Sequence, residues 1–147
     1  MASYIFNTWK KNQLDGTSVV DFDTDAIHVA LVNSGYVANA SAQDTHDFFD
    51  DVGASEVSGT GYTSGGQSII NKTITKDTAN DRAVFDGDDM SWPTSTITAY
   101  GAVIYKKVGT TASVSPVIAL IDFGGAQTSS SGTFAITWSS IGILTLT

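Results

Sequence analysis

The chain has 147 residues, no cysteine, two histidines, 15% charged positions and a net charge of −8, so neither a disulfide framework nor a thiolate zinc site can form. With a pI near 4.3 it repels nucleic acid and anionic membrane surfaces, which are bound chiefly through basic residues, and neither is an expected partner. Catalysis near neutral pH draws mainly on His, Cys, Lys or clustered carboxylates; a chain in which Ser and Thr fill about a quarter of the positions, with 14 glycines besides, points to a structural or binding role and not to an enzyme.

The first segment is expected to be helical. Ile5, Phe6, Trp9, Gln13 and Leu14 recur at three- and four-residue spacing, Lys10, Lys11 and Asn12 face outward, and Asp15-Gly16 supplies the stop. The lysine pair follows the apolar residues and no apolar run of about seven precedes it, so a secretory signal is not expected. No stretch approaches the roughly 18 apolar residues of a membrane span. Residues 1–16 read as an N-terminal arm, and 17–147 as one domain of ordinary size.

Ile27, Val29 and Leu31 alternate with His28, Ala30 and Val32, a strand pattern that places His28 opposite the three aliphatics. Between Ser41 and Val52 one short helix is expected. Asp44 would cap it, Asp47 would sit in its first turn, Phe48 and Val52 would share a face, and Gly53 would end it. Asp50 and Asp51 would then oppose the dipole at its C-terminal end.

Beyond Gly53 the pattern is almost wholly β. Strands are expected at Ile69–Thr75, Arg82–Phe85, Asp89–Trp92, Ile97–Lys107, Val117–Phe123, Phe134–Trp138 and Ile141–Thr147, with turns at Asn80-Asp81 and Asp86-Gly87. Ile97–Lys107 is apolar on both faces and reads as a central strand. Short strands at this spacing point to an all-β fold, an antiparallel β-sandwich of jelly-roll-like form, with the N-terminal helical arm and one short helix.

Several motifs resemble functional sites without completing them. Gly61 to Ser68 has the glycine spacing of a phosphate loop, but Gln67 stands where a lysine must hold the phosphates. Asp21-Phe22-Asp23-Thr24-Asp25 opens like a calcium loop, yet its sixth position is Ala26 and its twelfth Val32. Asp86, Asp88 and Asp89 form a second acidic turn. His46 lies between Asp44 and Asp47, but no serine occupies a G-x-S-x-G elbow. No catalytic residue, cofactor site or metal site is assigned.

Asp25–Leu31, Asp44–Val52, the run Glu56-Val57-Ser58-Gly59-Thr60-Gly61-Tyr62-Thr63-Ser64-Gly65-Gly66, Ile97-Thr98-Ala99-Tyr100, and Pro116 through Asp122-Phe123-Gly124 follow one another in an order that resembles a family of small structural proteins of tailed bacteriophages. The resemblance covers most of the chain, and the glycine-rich run is its most specific part. It implies a virion component on the outer surface of the head: a capsid decoration, or cement, protein with the major capsid protein as partner. It implies self-association as a homo-oligomer, with a homotrimer expected from the three-fold positions of capsid lattices. A tail, collar or fibre-associated protein is the alternative. Tyr4, Phe6 and Trp9, as apolar groups on a terminal arm, are the expected interface residues.

Overall fold

A computed structural model describes residues 2–147. The protein is mostly β, in two antiparallel sheets, an arrangement compatible with a β-sandwich. The elements in chain order are β1 (Tyr4–Ile5), α1 (Asn7–Asp15), β2 (Ile27–Val32), α2 (Ser34–Val37), α3 (Ala42–Thr45), α4 (Asp50–Gly53), β3 (Gln67–Ser68), β4 (Thr73–Asp77), β5 (Arg82–Asp86), β6 (Met90–Lys106), β7 (Val117–Ile136) and β8 (Leu144–Leu146). A 3-10 turn, Ala112–Val114, lies between β6 and β7. The larger sheet runs β1-β7-β6-β2-β3 and the smaller β4-β5-β8.

β6 and β7 form one long hairpin. Gly101 to Tyr105 of β6 are buried on both faces, between β2 and β7. Residues 90–99 alternate instead, with Met90, Trp92, Ile97 and Ala99 inward and Ser91, Thr96 and Thr98 outward. The strands expected separately at Asp89–Trp92 and Ile97–Lys107 are therefore one. Pro93 does not end it, because the ladder is already interrupted between Trp92 and Ser95 and its missing N–H falls in that bulge. β7 likewise joins two expected strands through a bulge at Phe123–Ala126, where Gly124 and Gly125 have φ of 74° and 155°.

Ile69–Thr75 is not one strand. Gln67–Ser68 pairs with β2 in the larger sheet, and Thr73–Asp77 pairs with β5 in the smaller. Asn71, at φ 50°, turns the chain between them. The helix expected over Ser41–Val52 breaks into α3 and α4. Between them Phe48 bridges Pro116, Phe49 N–H donates to Ser115 C=O at 2.9 Å, and Val117 N–H donates to Asp47 C=O at 3.1 Å. The break also resolves the electrostatic conflict, since Asp50 and Asp51 now open α4, at the end where the dipole favours carboxylates.

Aromatic rings connect the layers. Phe22 meets Phe85 of the smaller sheet at 4.6 Å and Trp9 of α1 at 6.0 Å. Phe49 stacks on Tyr105 at 3.9 Å, and Trp92 contacts both Tyr62 and Phe134.

Candidate functional site

The glycine-rich run, the most distinctive stretch of the sequence, lies flat on the larger sheet as a buckle. Glu56 holds it shut. Its carboxylate accepts hydrogen bonds from the Tyr62 hydroxyl at 2.6 Å, the Ser64 hydroxyl at 2.8 Å and the Gly65 N–H at 2.6 Å. The Tyr62 hydroxyl in turn accepts from the Leu31 N–H of β2 at 3.0 Å. Burial, with the Glu56 carboxylate beside it, pushes the Tyr62 hydroxyl far above its ordinary pKa. Gly65 C=O accepts from the Tyr105 hydroxyl at 2.7 Å and from His28 Nδ1 at 3.2 Å. Because a carbonyl can only accept, Nδ1 is the protonated nitrogen of His28.

The glycines serve close approach. A Cβ on Gly66, whose φ is 65°, would sit 1.8 Å from Val29 C=O, and one on Gly59 would sit 2.3 Å from Thr96 C=O. Three of the backbone N–H groups that a phosphate would need are already held: Gly65 N–H by Glu56, Tyr62 N–H by Gly59 C=O and Gly66 N–H by Thr63 C=O. The run is thus a structural clasp, and its glycine spacing follows from contact with β2 and β6.

The other sequence-singled residues are also drawn into the fold. Phe6 is 0% exposed and Trp9 3%, so these two expected interface side chains lie in the core. Phe6 N–H donates to Ile118 C=O at 3.0 Å, and Tyr4–Ile5 pair with β7. Residues 1–16 are consequently no free arm where the structure describes them: Phe6 and Trp9 are enclosed, but Leu14 of the same expected face is 91% exposed, and Asn12, expected to face outward, is buried. Tyr4 is half-buried edge-on to Phe6, and burial pushes its hydroxyl up to about 12. His46 Nδ1 is 2.9 Å from the buried Tyr36 hydroxyl, and nothing brings a serine to it. In the Asp21–Asp25 turn, Asp25 accepts from Asp21 N–H at 2.7 Å and pairs with Lys106 at 2.8 Å. Among the described residues no three His, Cys, Asp or Glu side chains converge as a metal site requires.

What sequence reasoning missed is a segregation of charge. Residues 1–89 carry fourteen acidic and five basic side chains, net −9. Residues 90–147 carry only Lys106, Lys107 and Asp122, and none from 123 onward. In the fold this neutral half is the β6–β7 hairpin. Residues 90–99 and 127–136 form a ribbon whose outward face is Ser91, Thr96, Thr98, Thr128, Ser130 and Thr133. Thr98 and Thr128 hydroxyls meet across it at 3.2 Å. Its inner side is fixed by Trp92, Phe134 and a buried hydroxyl pair, Ser95 and Ser129, at 2.7 Å. Two clefts border the ribbon. One, of about 490 Å³, is lined by Phe123, Gln127, Thr128 and Thr133–Ile136. The other, of about 510 Å³, lies between residues 56–58 and Thr96–Thr98. A smaller cleft of about 320 Å³ at the hairpin's other end includes Phe49, Ser64, Lys107 and Thr111.

The chain matches no family model, no curated protein and no solved structure.

Proposed function

We propose that the protein is a structural component of a tailed-phage virion, a capsid decoration protein that binds the major capsid protein on the outer surface of the head. The observation that carries this reading is the uncharged, hydroxyl-lined ribbon of β6 and β7 on an otherwise acidic domain. Such a face can be covered by a partner without desolvating any charge, and its hydroxyls find donors and acceptors on almost any protein surface. The resemblance of the glycine-rich run and the segments around it to phage structural proteins is the reason for proposing the head as its location. The two antiparallel sheets, read as a jelly-roll-like sandwich, supply a rigid support. The role asks for area burial and no catalytic group. The acidic side, bearing the net −9 segment, faces solvent and keeps decorated particles apart.

The interface in this reading is the ribbon face. Phe6 and Trp9 are enclosed and stand outside it, while Tyr4 is half-buried beside the β1–β7 edge, away from the ribbon. The test is immunogold electron microscopy on virions with antibody to this protein, alongside co-sedimentation with purified capsids. Regular label over heads, with binding lost in Thr96→Lys and Thr98→Lys variants that still fold, is the expected result. Label confined to tail or collar would replace the reading with the tail-associated one, and absence of label from every particle would overturn both.

A further inference from the structure

We infer that the cleft at the turn end of the β6–β7 hairpin binds a monovalent carboxylate carried on a small apolar group, with the Lys107 ammonium as its counter-charge. The site is separate from the ribbon, and the inference does not depend on where in a virion the protein sits.

An unpaired cation in a concave place is unexpected in this chain. Fifteen acidic side chains face seven basic ones. Among the described residues five of the seven are engaged: Lys10 by Asn7, Lys11 by Asp15, Lys72 and Lys106 by Asp25, and Arg82 by Asp77. Lys76 and Lys107 have neither an ion pair nor a hydrogen bond. Lys76 stands exposed on β4, in a cleft that also holds Asp77 and Asp81. Lys107 is half-buried. Its nitrogen lies 3.7 Å from the point where a Cβ on Gly65 would sit, and the Tyr105 hydroxyl lies 3.3 Å from the same point. A cation placed there has given up part of its hydration without gaining a counter-charge.

The rest of the lining defines the ligand. The cleft is about 320 Å³, at the small end of ligand sites. No carboxylate lines it, although the protein carries a net charge of −8. Glu56 bonds Ser64 of the lining, but its carboxylate is already held by three donors. The Thr110 and Thr111 hydroxyls and the N–H groups of Gly109 and Thr110 are donors for which the described residues offer no acceptor, and they can serve a pair of oxygens. Phe49, stacked on Tyr105, and Ala112 supply the apolar part of the wall. One ammonium balances one charge and the acidic domain opposes a second, so a monovalent carboxylate is preferred over a phosphate dianion. The apolar wall prefers an organic acid to a bare inorganic ion. A free organic acid and the C-terminal end of a polypeptide both carry such a group.

The experiment follows the Gly109, Thr110 and Thr111 amides by NMR during titration with phenylacetate, a free acid, and with N-acetylphenylalanine, which mimics a chain end. N-acetylphenylalaninamide and inorganic phosphate are the comparisons. One or both acids are expected to give saturable shifts with a Kd of about 1 mM or tighter, and the tighter of the two names the source. The amide and phosphate are expected to bind at least about tenfold more weakly. Lys107→Gln, which keeps the backbone bond from the residue 107 N–H to Ala26 C=O at 2.8 Å, should weaken the acids about tenfold, and Lys76→Gln should change nothing. His28 reports from the protein side. Its ring lies 5.8 Å from that of Tyr105, and it is held below its ordinary value by burial first, against the pull of its Gly65 bond, and then by the Lys107 ammonium. A bound carboxylate cancels that last contribution, so the wild-type His28 midpoint should rise when acid is added, and that of Lys107→Gln should not. Should Lys107→Gln fail to fold, acid against amide on wild type, with the His28 midpoint, decides. No saturable shift from either acid, equal binding of the amide or of phosphate, full affinity in Lys107→Gln, or an unmoved His28 midpoint would each overturn the proposal.

Discussion

Replacing Glu56 tests whether the glycine run is a clasp or a ligand loop. Glu56→Ala removes the acceptor of three hydrogen bonds, from Tyr62, Ser64 and Gly65. A hydrogen bond to a charged group contributes about 1.5–3 kcal/mol, less where solvent can replace it. Ser64 is exposed and its share is small, while the Tyr62 and Gly65 donors are partly enclosed. The expected loss is about 2–4 kcal/mol, a large fraction of the ~5–15 kcal/mol that holds a domain of this size. Tyr62→Phe should cost a similar amount, since it deletes the bond to Glu56 and also leaves the Leu31 N–H, on a fully buried residue, without its acceptor. The two share one bond, so in a double-mutant cycle followed by urea unfolding they should couple by about 1–3 kcal/mol. Additivity within about 0.5 kcal/mol, or unchanged stability in Glu56→Ala, would show that the run is not held as described.

Deleting residues 1–14 should abolish the cooperative melt seen by near-UV circular dichroism, because it removes Phe6 and Trp9 from the core, and Trp9→Ala alone should cost about 3–5 kcal/mol; a deletion variant that still melts cooperatively would return the segment to the status of an arm. Gly66→Ala should destabilise by about 2–5 kcal/mol through its left-handed backbone and the clash with Val29 C=O. Gly53→Ala, with open space around the added carbon, should change thermal stability little, and equal melting temperatures for the two would refute the close-approach argument. Burial, opposed by the bond to Gly65 and aided by Lys107, holds His28 below its ordinary value. The unfolded chain therefore binds its proton first as pH falls. The stability His28 contributes is complete above about pH 6.5 and is lost below it, toward the folded-state value. Its ring titration by NMR should have a midpoint below about 6.5; a midpoint at or above that contradicts the assignment.

The parts of the fold visible in the sequence are those whose burial is periodic. β2 and the Gly101–Tyr105 stretch of β6 are almost wholly apolar because both faces of the sheet are covered there, as by Phe49 on Tyr105 and Val37 against Gly101. The break of Ser41–Val52 was not visible, because it depends on Phe48, 68 residues distant in sequence from its bridge partner Pro116. α2 has a local signal in Asn33, whose side chain accepts from Tyr36 N–H at 3.2 Å, but four residues are too few to display a helical period. Helical spacing in the first segment correctly marks an apolar face at Phe6 and Trp9. Spacing carries no information about whether that face is covered by the same chain or by another; here the chain itself covers both residues, Trp9 with Phe22 against it and Phe6 N–H bonded to Ile118 C=O.

The same limit applies to the ribbon, and there the distribution of charge goes further than periodicity. A strand of polar residues on both sides is weakly registered and prone to slip, since a one-residue shift buries nothing new. β7 avoids that ambiguity through its irregularities: Gly124 and Gly125 bend it at one end of the neutral segment, and Ser131, at φ 49°, interrupts the ladder in its middle. Each bulge fixes which groups point outward and at what spacing. Ser and Thr on the outer face keep this edge soluble where Val or Ile would make it an aggregation site. The bulge at Ser130–Ser131 thus guards this edge without charge, because it interrupts the row of free backbone groups in mid-strand.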